Sequence, residues 1–236
     1  LLVEGSDSMF KDNTTVTDIL TVYNNIKSNA ENTSINSQLD SLLNQYILQY
    51  YKQQIKTVTG SEYNAYSRYV FANTPTLEQV NAIFSSMAAL EDHKSLLTTV
   101  QTMQKQVLKN YYIQDLLALT QNNSWSRFKA DATVEQIQAA YEKAAASENA
   151  DVLSDVKQLF RSHSNNIVSA IGYTQYNYDT QSYYVELRSS VTPEQIQTVY
   201  DELTAMQNIV NHEEIAQWIA SLTTKLPVRE EKVMIN

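Results

Sequence analysis

Residues Thr192-Pro193-Glu194-Gln195-Ile196-Gln197-Thr198-Val199-Tyr200 read as the opening of an amphipathic helix. Thr at the N-cap accepts from a first-turn backbone N–H. Gln195, three residues on, reaches back to the cap as a capping box, and Val191 with Ile196 can staple across it. Pro193 occupies the first helical position, where a missing N–H costs nothing. Glu194 places negative charge at the positive end of the helix dipole.

The same pattern occurs four times without gaps, around Thr15, Thr76, Thr133 and Thr192. A large apolar residue lies five before each Thr: Phe10, Phe71, Phe128 and Leu187. Ile or Val lies four after it, and Tyr or Phe eight after it: Ile19 with Tyr23, Val80 with Phe84, Ile137 with Tyr141, Ile196 with Tyr200. Asp18, Gln79, Gln136 and Gln195 hold the capping-box position. The apolar stripes continue at helical spacing, as Ile19, Val22, Tyr23 and Ile26 in the first copy and Val80, Ile83, Phe84 and Met87 in the second.

A second helical stripe follows each: Leu43, Tyr46, Ile47 and Tyr50; Leu97, Val100 and Met103; Leu153, Val156, Leu159 and Phe160; Ile215, Trp218, Ile219 and Leu222. A shorter apolar patch precedes each following Thr: Tyr63 to Phe71, Trp125 with Phe128, and Tyr183, Tyr184 with Leu187. The expected unit is two longer helices plus a short helix or helical turn.

These spacings predict an all-α chain of about four degenerate 60-residue repeats. Residues 1–14 read as the tail of a preceding unit, 15–75 as repeat 1, 76–132 as repeat 2, 133–191 as repeat 3 and 192–236 as an incomplete repeat 4. A row of helical units, a solenoid, an irregular bundle or one continuous domain all satisfy the spacing.

Composition removes other folds and several functions. Three glycines (Gly5, Gly60, Gly172) and three prolines (Pro75, Pro193, Pro227) stand against about 17 and about 12 at average usage. Turn-rich sandwiches and barrels need positive-φ glycines, and phosphate-cradling loops need clustered ones. Charged residues make up 18%, below the usual quarter. Asn, Gln, Ser and Thr instead supply 83 of 236 residues, a surface typical of exported or surface-displayed proteins, with a cytoplasmic location as the alternative. The net charge of −9 disfavours nucleic acid and anionic membranes. No cysteine is present, so disulfides, thiolate zinc and cysteine nucleophiles are excluded. No apolar run approaches the length of a membrane span, so no membrane insertion is expected. The start, Leu1-Leu2-Val3-Glu4, reads as a mature or excised end.

Motifs for chemistry are sparse. His93, His163 and His212 are too far apart for a helical metal pair, and His93 and His212, beside Glu91–Asp92 and Glu213–Glu214, fit surface or cap histidines; no metal or cofactor is expected. No Gly-x-Ser-x-Gly elbow occurs. The acid pairs Glu91–Asp92, Glu213–Glu214 and Glu230–Glu231 read as solvated faces. Asn177, Asp179 and Gln181 alternate like calcium ligands, but Ser182 and Arg188 replace the Gly and Glu that an EF-hand loop requires. Sequons at Asn13, Asn32 and Asn122 occur at the frequency that composition alone gives.

Tyrosine is the outlier, with 16 copies. Tyr173, Tyr176, Tyr178, Tyr183 and Tyr184 crowd the least helix-favouring stretch and form the candidate interaction surface for a protein or glycan. The expected function is non-catalytic: a structural or binding segment of a larger, exported or surface protein, of open oligomeric state. The alternatives are a carrier of a small apolar ligand with tyrosines lining its pocket, and a helical domain appended to an enzyme.

Overall fold

The computed structural model describes residues 1–7, 9–29 and 33–226. Asn32, Pro227 and the Glu230–Glu231 pair lie outside the described residues. The described chain is predominantly helical, with eight α-helices, two short 3-10 turns and one two-stranded sheet. It divides into two compact units, Leu1–Gln114 and Asp115 onward.

The first unit contains α1 (Val16–Ser28), α2 (Thr33–Thr59), α3 (Leu77–Ala82), a 3-10 turn at Ser85–Leu90 and α4 (Lys94–Ala118), whose last turn belongs to the second unit. Helix α1 packs on α2 and on the 3-10 turn, and α2 also meets α3. Ile19, Ile47, Tyr51, Ile55, Val80, Phe84, Leu90 and Val107 build the core. The second unit contains α5 (Val134–Ala145), α6 (Ala150–Val168), strands β1 (Gly172–Asn177) and β2 (Ser182–Leu187), α7 (Pro193–Val210) and α8 (Glu213–Thr223). Helix α7 packs on α5, α6 and α8 around Ile137, Val156, Phe160, Leu203, Trp218 and Leu222.

All four threonine caps carry both arms of the capping box. The Thr15 N–H donates to Asp18 Oδ2 at 2.8 Å, that of Thr76 to Gln79 Oε1 at 2.8 Å, that of Thr133 to Gln136 Oε1 at 3.0 Å and that of Thr192 to Gln195 Oε1 at 2.9 Å. Each threonine hydroxyl accepts from the third-residue N–H in return.

Two expectations are corrected. The stripe from Val80 to Met87 is not one longer helix. Helix α3 stops after six residues, and a 3-10 turn follows. Ser85 Oγ donates to the Ala82 carbonyl at 2.9 Å, a side-chain bond of the kind that competes with the helical ladder. Phe84 stacks on Tyr51 with ring centroids 5.7 Å apart, and Val80, Ile83 and Phe84 stay buried across the break while Met87 is half-buried.

The short third segment is extended, not helical, and the chain is to that extent not all-α. Residues 60–76 contain no helix or strand. After the short 3-10 turn Gln121–Asn123, Phe128 pairs back to Thr120 in a single antiparallel bridge. Between α6 and α7 the patch becomes the hairpin β1–β2, with Tyr176 opposite Tyr183 and Gly172 opposite Leu187. Residues 1–14 behave alike, with Leu2 bridged to Phe10.

Side chains from a later helix decide these conformations. The Phe10 N–H donates to Gln53 Oε1 on α2 at 2.8 Å, and Gln53 Nε2 returns a bond to the Phe10 carbonyl at 2.8 Å. The Phe71 N–H donates to Gln114 Oε1 on α4 at 3.1 Å. The Phe128 N–H donates to His163 Nδ1 on α6 at 3.3 Å. A buried backbone N–H left without such an acceptor would cost about 1–3 kcal/mol. Gly172 is required for the hairpin, since a Cβ there would fall 2.1 Å from the Glu186 carbonyl oxygen.

Candidate functional site

The five tyrosines of the candidate surface lie on the hairpin, whose pleat sorts them onto two faces. Tyr176 and Tyr183 are cross-strand partners on the same face as the fully buried Val185. Their centroids are 4.9 Å apart, and Tyr178 from the turn packs edge-on to Tyr176 at 5.1 Å. Tyr173 and Tyr184 are on the opposite face. Tyr173 lies under the Arg188 guanidinium at 5.0 Å. The structure therefore brings three of the five together and leaves two apart. Tyr178 is 85% exposed and Tyr173 56%, while Tyr176 and Tyr184 are exposed at 38% and 37%.

The turn is internally bonded. Asn177 Oδ1 accepts from the N–H groups of Asp179 at 2.9 Å and Thr180 at 3.2 Å, an Asx turn. The alternating Asn177, Asp179 and Gln181 are thus turn residues, and Gln181 takes the left-handed φ of 50° that reverses the chain. Among the described residues no cluster of three or more His, Cys, Asp or Glu could hold a metal.

Helix α8 anchors the hairpin. Gln217 and Ser221 on α8, and Lys225 just beyond its end, face the edge of β2 that β1 leaves free. Gln217 Oε1 accepts from the Tyr183 N–H at 2.8 Å, and Ser221 Oγ from the Val185 N–H at 3.1 Å. Lys225 Nζ donates to the Val185 carbonyl and to Ser221 Oγ. Burial lowers the Lys225 pKa.

The three clustered rings and α8 enclose a groove of about 480 Å³ lined also by Gln181, Glu213, Glu214 and Gln217. Glu214 is held by Arg161 at 2.7 Å. Its N–H donates to Nδ1 of His212, which caps α8. Burial lowers the His212 pKa, partly offset by the neighbouring glutamates. Glu213 accepts only a long bond from Gln217, at 3.4 Å.

A larger cavity, of about 840 Å³, lies between α5, α6, α7 and the loop around Phe128. Phe128, Ile137, Val199 and Met206 line it, and no tyrosine does. His163 reaches this cavity and was not legible as a buried group. Burial first, then the Arg127 charge, push its pKa down to about 4, so the ring is neutral at pH 7. Because Nδ1 accepts from Phe128, the ring proton is assigned to Nε2.

No described helix is long and apolar enough to cross a membrane. Compared with protein-family models, curated proteins and solved structures, the chain matches none of them.

Proposed function

We propose that this chain is a non-catalytic helical repeat segment of a larger, exported or surface protein, and that the β1–β2 hairpin is its recognition edge for a glycan. The observation that carries the reading is the groove at the hairpin. Three edge-packed tyrosines stand beside Glu213, Gln217 and Gln181. Rings offer flat apolar area to the C–H faces of a sugar, and carboxylate and amide oxygens accept from its hydroxyls. The acidic lining favours neutral or amino sugars over anionic ones.

The repeat reading is supported by the recurring hydrogen bonds and gains a new phase from them. Each extended segment is bonded to the second helix of the pair that follows it: Phe10 to Gln53, Phe71 to Gln114, Phe128 to His163, and Tyr183 to Gln217. The unit is therefore an extended segment followed by two helices. Residues 1–14 belong with α1 and α2, and the boundaries at 75, 132 and 191 move back to the ends of α2, α4 and α6.

The test is binding of neutral and amino-sugar oligosaccharides to the chain and to the Y176S/Y178S variant. Loss of binding with unchanged melting supports the reading. Equal binding by the variant, or none by the parent chain, refutes the glycan surface. A protein ligand captured through the same tyrosines would replace glycan with protein as the partner class.

A further inference from the structure

The cavity between α5, α6, α7 and the Phe128 loop is not used by the hairpin reading. Its volume of about 840 Å³ falls within the range of small-molecule sites. Ala130, Ala132, Ala170 and Ala205 line it, and their short side chains leave the space open. Phe128, Ile137, Ile171, Val199 and Met206 are all buried and give it an apolar floor.

Polar groups of two opposite characters line the same cavity. The loop before α5 and helix α6 bring Arg127 and His163, close enough for the Arg127 charge to act on the imidazole. His163 Nδ1 is taken by the Phe128 N–H, so Nε2–H is the donor it has left, and no described group accepts from it. Helix α7 brings Asp201 and Glu202. Asp201 Oδ1 accepts from Gln197 at 2.8 Å, which leaves Oδ2, and Glu202 has no partner among the described residues. Arg127 and the two carboxylates share the cavity without forming an ion pair with each other. A cation with a neutral donor, two carboxylates and a hydrocarbon floor complement a molecule that carries a carboxylate, an ammonium and an apolar body. A simple hydrocarbon would leave the charged groups unmatched, and an apolar anion would meet the two acids as like charges.

We propose that this cavity binds a small apolar zwitterion, an amino acid or dipeptide with bulky aliphatic or aromatic side chains. Arg127 and His163 Nε2 donate to its carboxylate, Asp201 and Glu202 accept from its ammonium, and its side chain rests on Phe128, Val199 and Met206. The site is separate from the glycan groove, and neither reading depends on the other.

NMR titration of the isotope-labelled chain tests it, with phenylalanine and leucyl-leucine and with the N-acetylated and C-amidated form of each. The expected result is shifts at the amides of cavity residues such as Phe128, Ile167 and Ala205. Each blocked form binds about tenfold or more weakly than its parent zwitterion, the loss of one charge-assisted contact. R127Q then binds the amidated form as well as the free one, and D201N/E202Q does the same for the acetylated form. The substituted positions are exposed, and circular dichroism melting confirms that the variants fold. The blocked ligands probe the same contacts on the parent chain, so a variant that fails to fold leaves the test intact. The tighter of the two zwitterions tells an amino acid from a dipeptide. No shift with either at millimolar concentration, shifts confined to residues outside the cavity, or blocked forms that bind as tightly as the free ones overturns the proposal. A folded variant that still discriminates against the block matching its lost charge does so too.

Discussion

Acidification from pH 7.5 to 5.0 removes about 2 kcal/mol of stability from the Asp115-onward unit through His163 alone. The folded pKa is about 4 and the ordinary value 6.5. Between those values the unfolded chain binds a proton that the folded chain refuses, so unfolding gains as pH falls. The contribution is intact above pH 6.5, and each tenfold difference in proton affinity between the two states is worth about 1.4 kcal/mol. At pH 5.0 the linkage integral between the two pKa values gives about 2 kcal/mol. Trp125 and Trp218 both lie in the same compact unit as His163, so urea unfolding followed by tryptophan fluorescence reads this unit. The control is H163Q. Gln53 and Gln114 accept the equivalent N–H groups, so glutamine can keep the Phe128 bond while removing the titration. Other groups titrate alike in both proteins and cancel. The parent loses about 2 kcal/mol more than H163Q over this interval. Parallel pH dependences would show that His163 is not held neutral and that its bond to Phe128 is not as described.

Three further outcomes follow from the same contacts. T192A removes the hydroxyl arm of the last capping box and lowers stability by about 1 kcal/mol in the same urea assay. G172A forces a Cβ against the Glu186 carbonyl and costs about 1–3 kcal/mol, with loss of the β1–β2 cross-strand contacts in NMR. Q217L leaves the Tyr183 N–H without its acceptor, costs about 1 kcal/mol and speeds hydrogen exchange at that amide.

The helix starts were legible because a cap is local: Thr, its partner three residues on and the first apolar position lie within five residues of sequence. All four formed as read. The extended segments were not legible, since their acceptors lie 34 to 43 residues away. The Gly172–Tyr184 stretch reads as poorly helical from its composition, but the contacts that hold β2 come from the distant Gln217, Ser221 and Lys225. His163 failed for the same reason: nothing beside it in sequence announces the Phe128 N–H. Of the candidate surface, the density of tyrosine was visible, and its division between two faces depended on the register of the hairpin.

The distance between each extended segment and its acceptor also sets an order of events during synthesis. Phe10 and Phe71 each wait for a glutamine 43 residues downstream, Phe128 for a histidine 35 downstream and Tyr183 for a glutamine 34 downstream. Closing such a loop costs entropy that only the completed helix pair repays. A nascent chain therefore cannot complete the backbone hydrogen bonds of an extended segment until the helix that carries its acceptor has been synthesised.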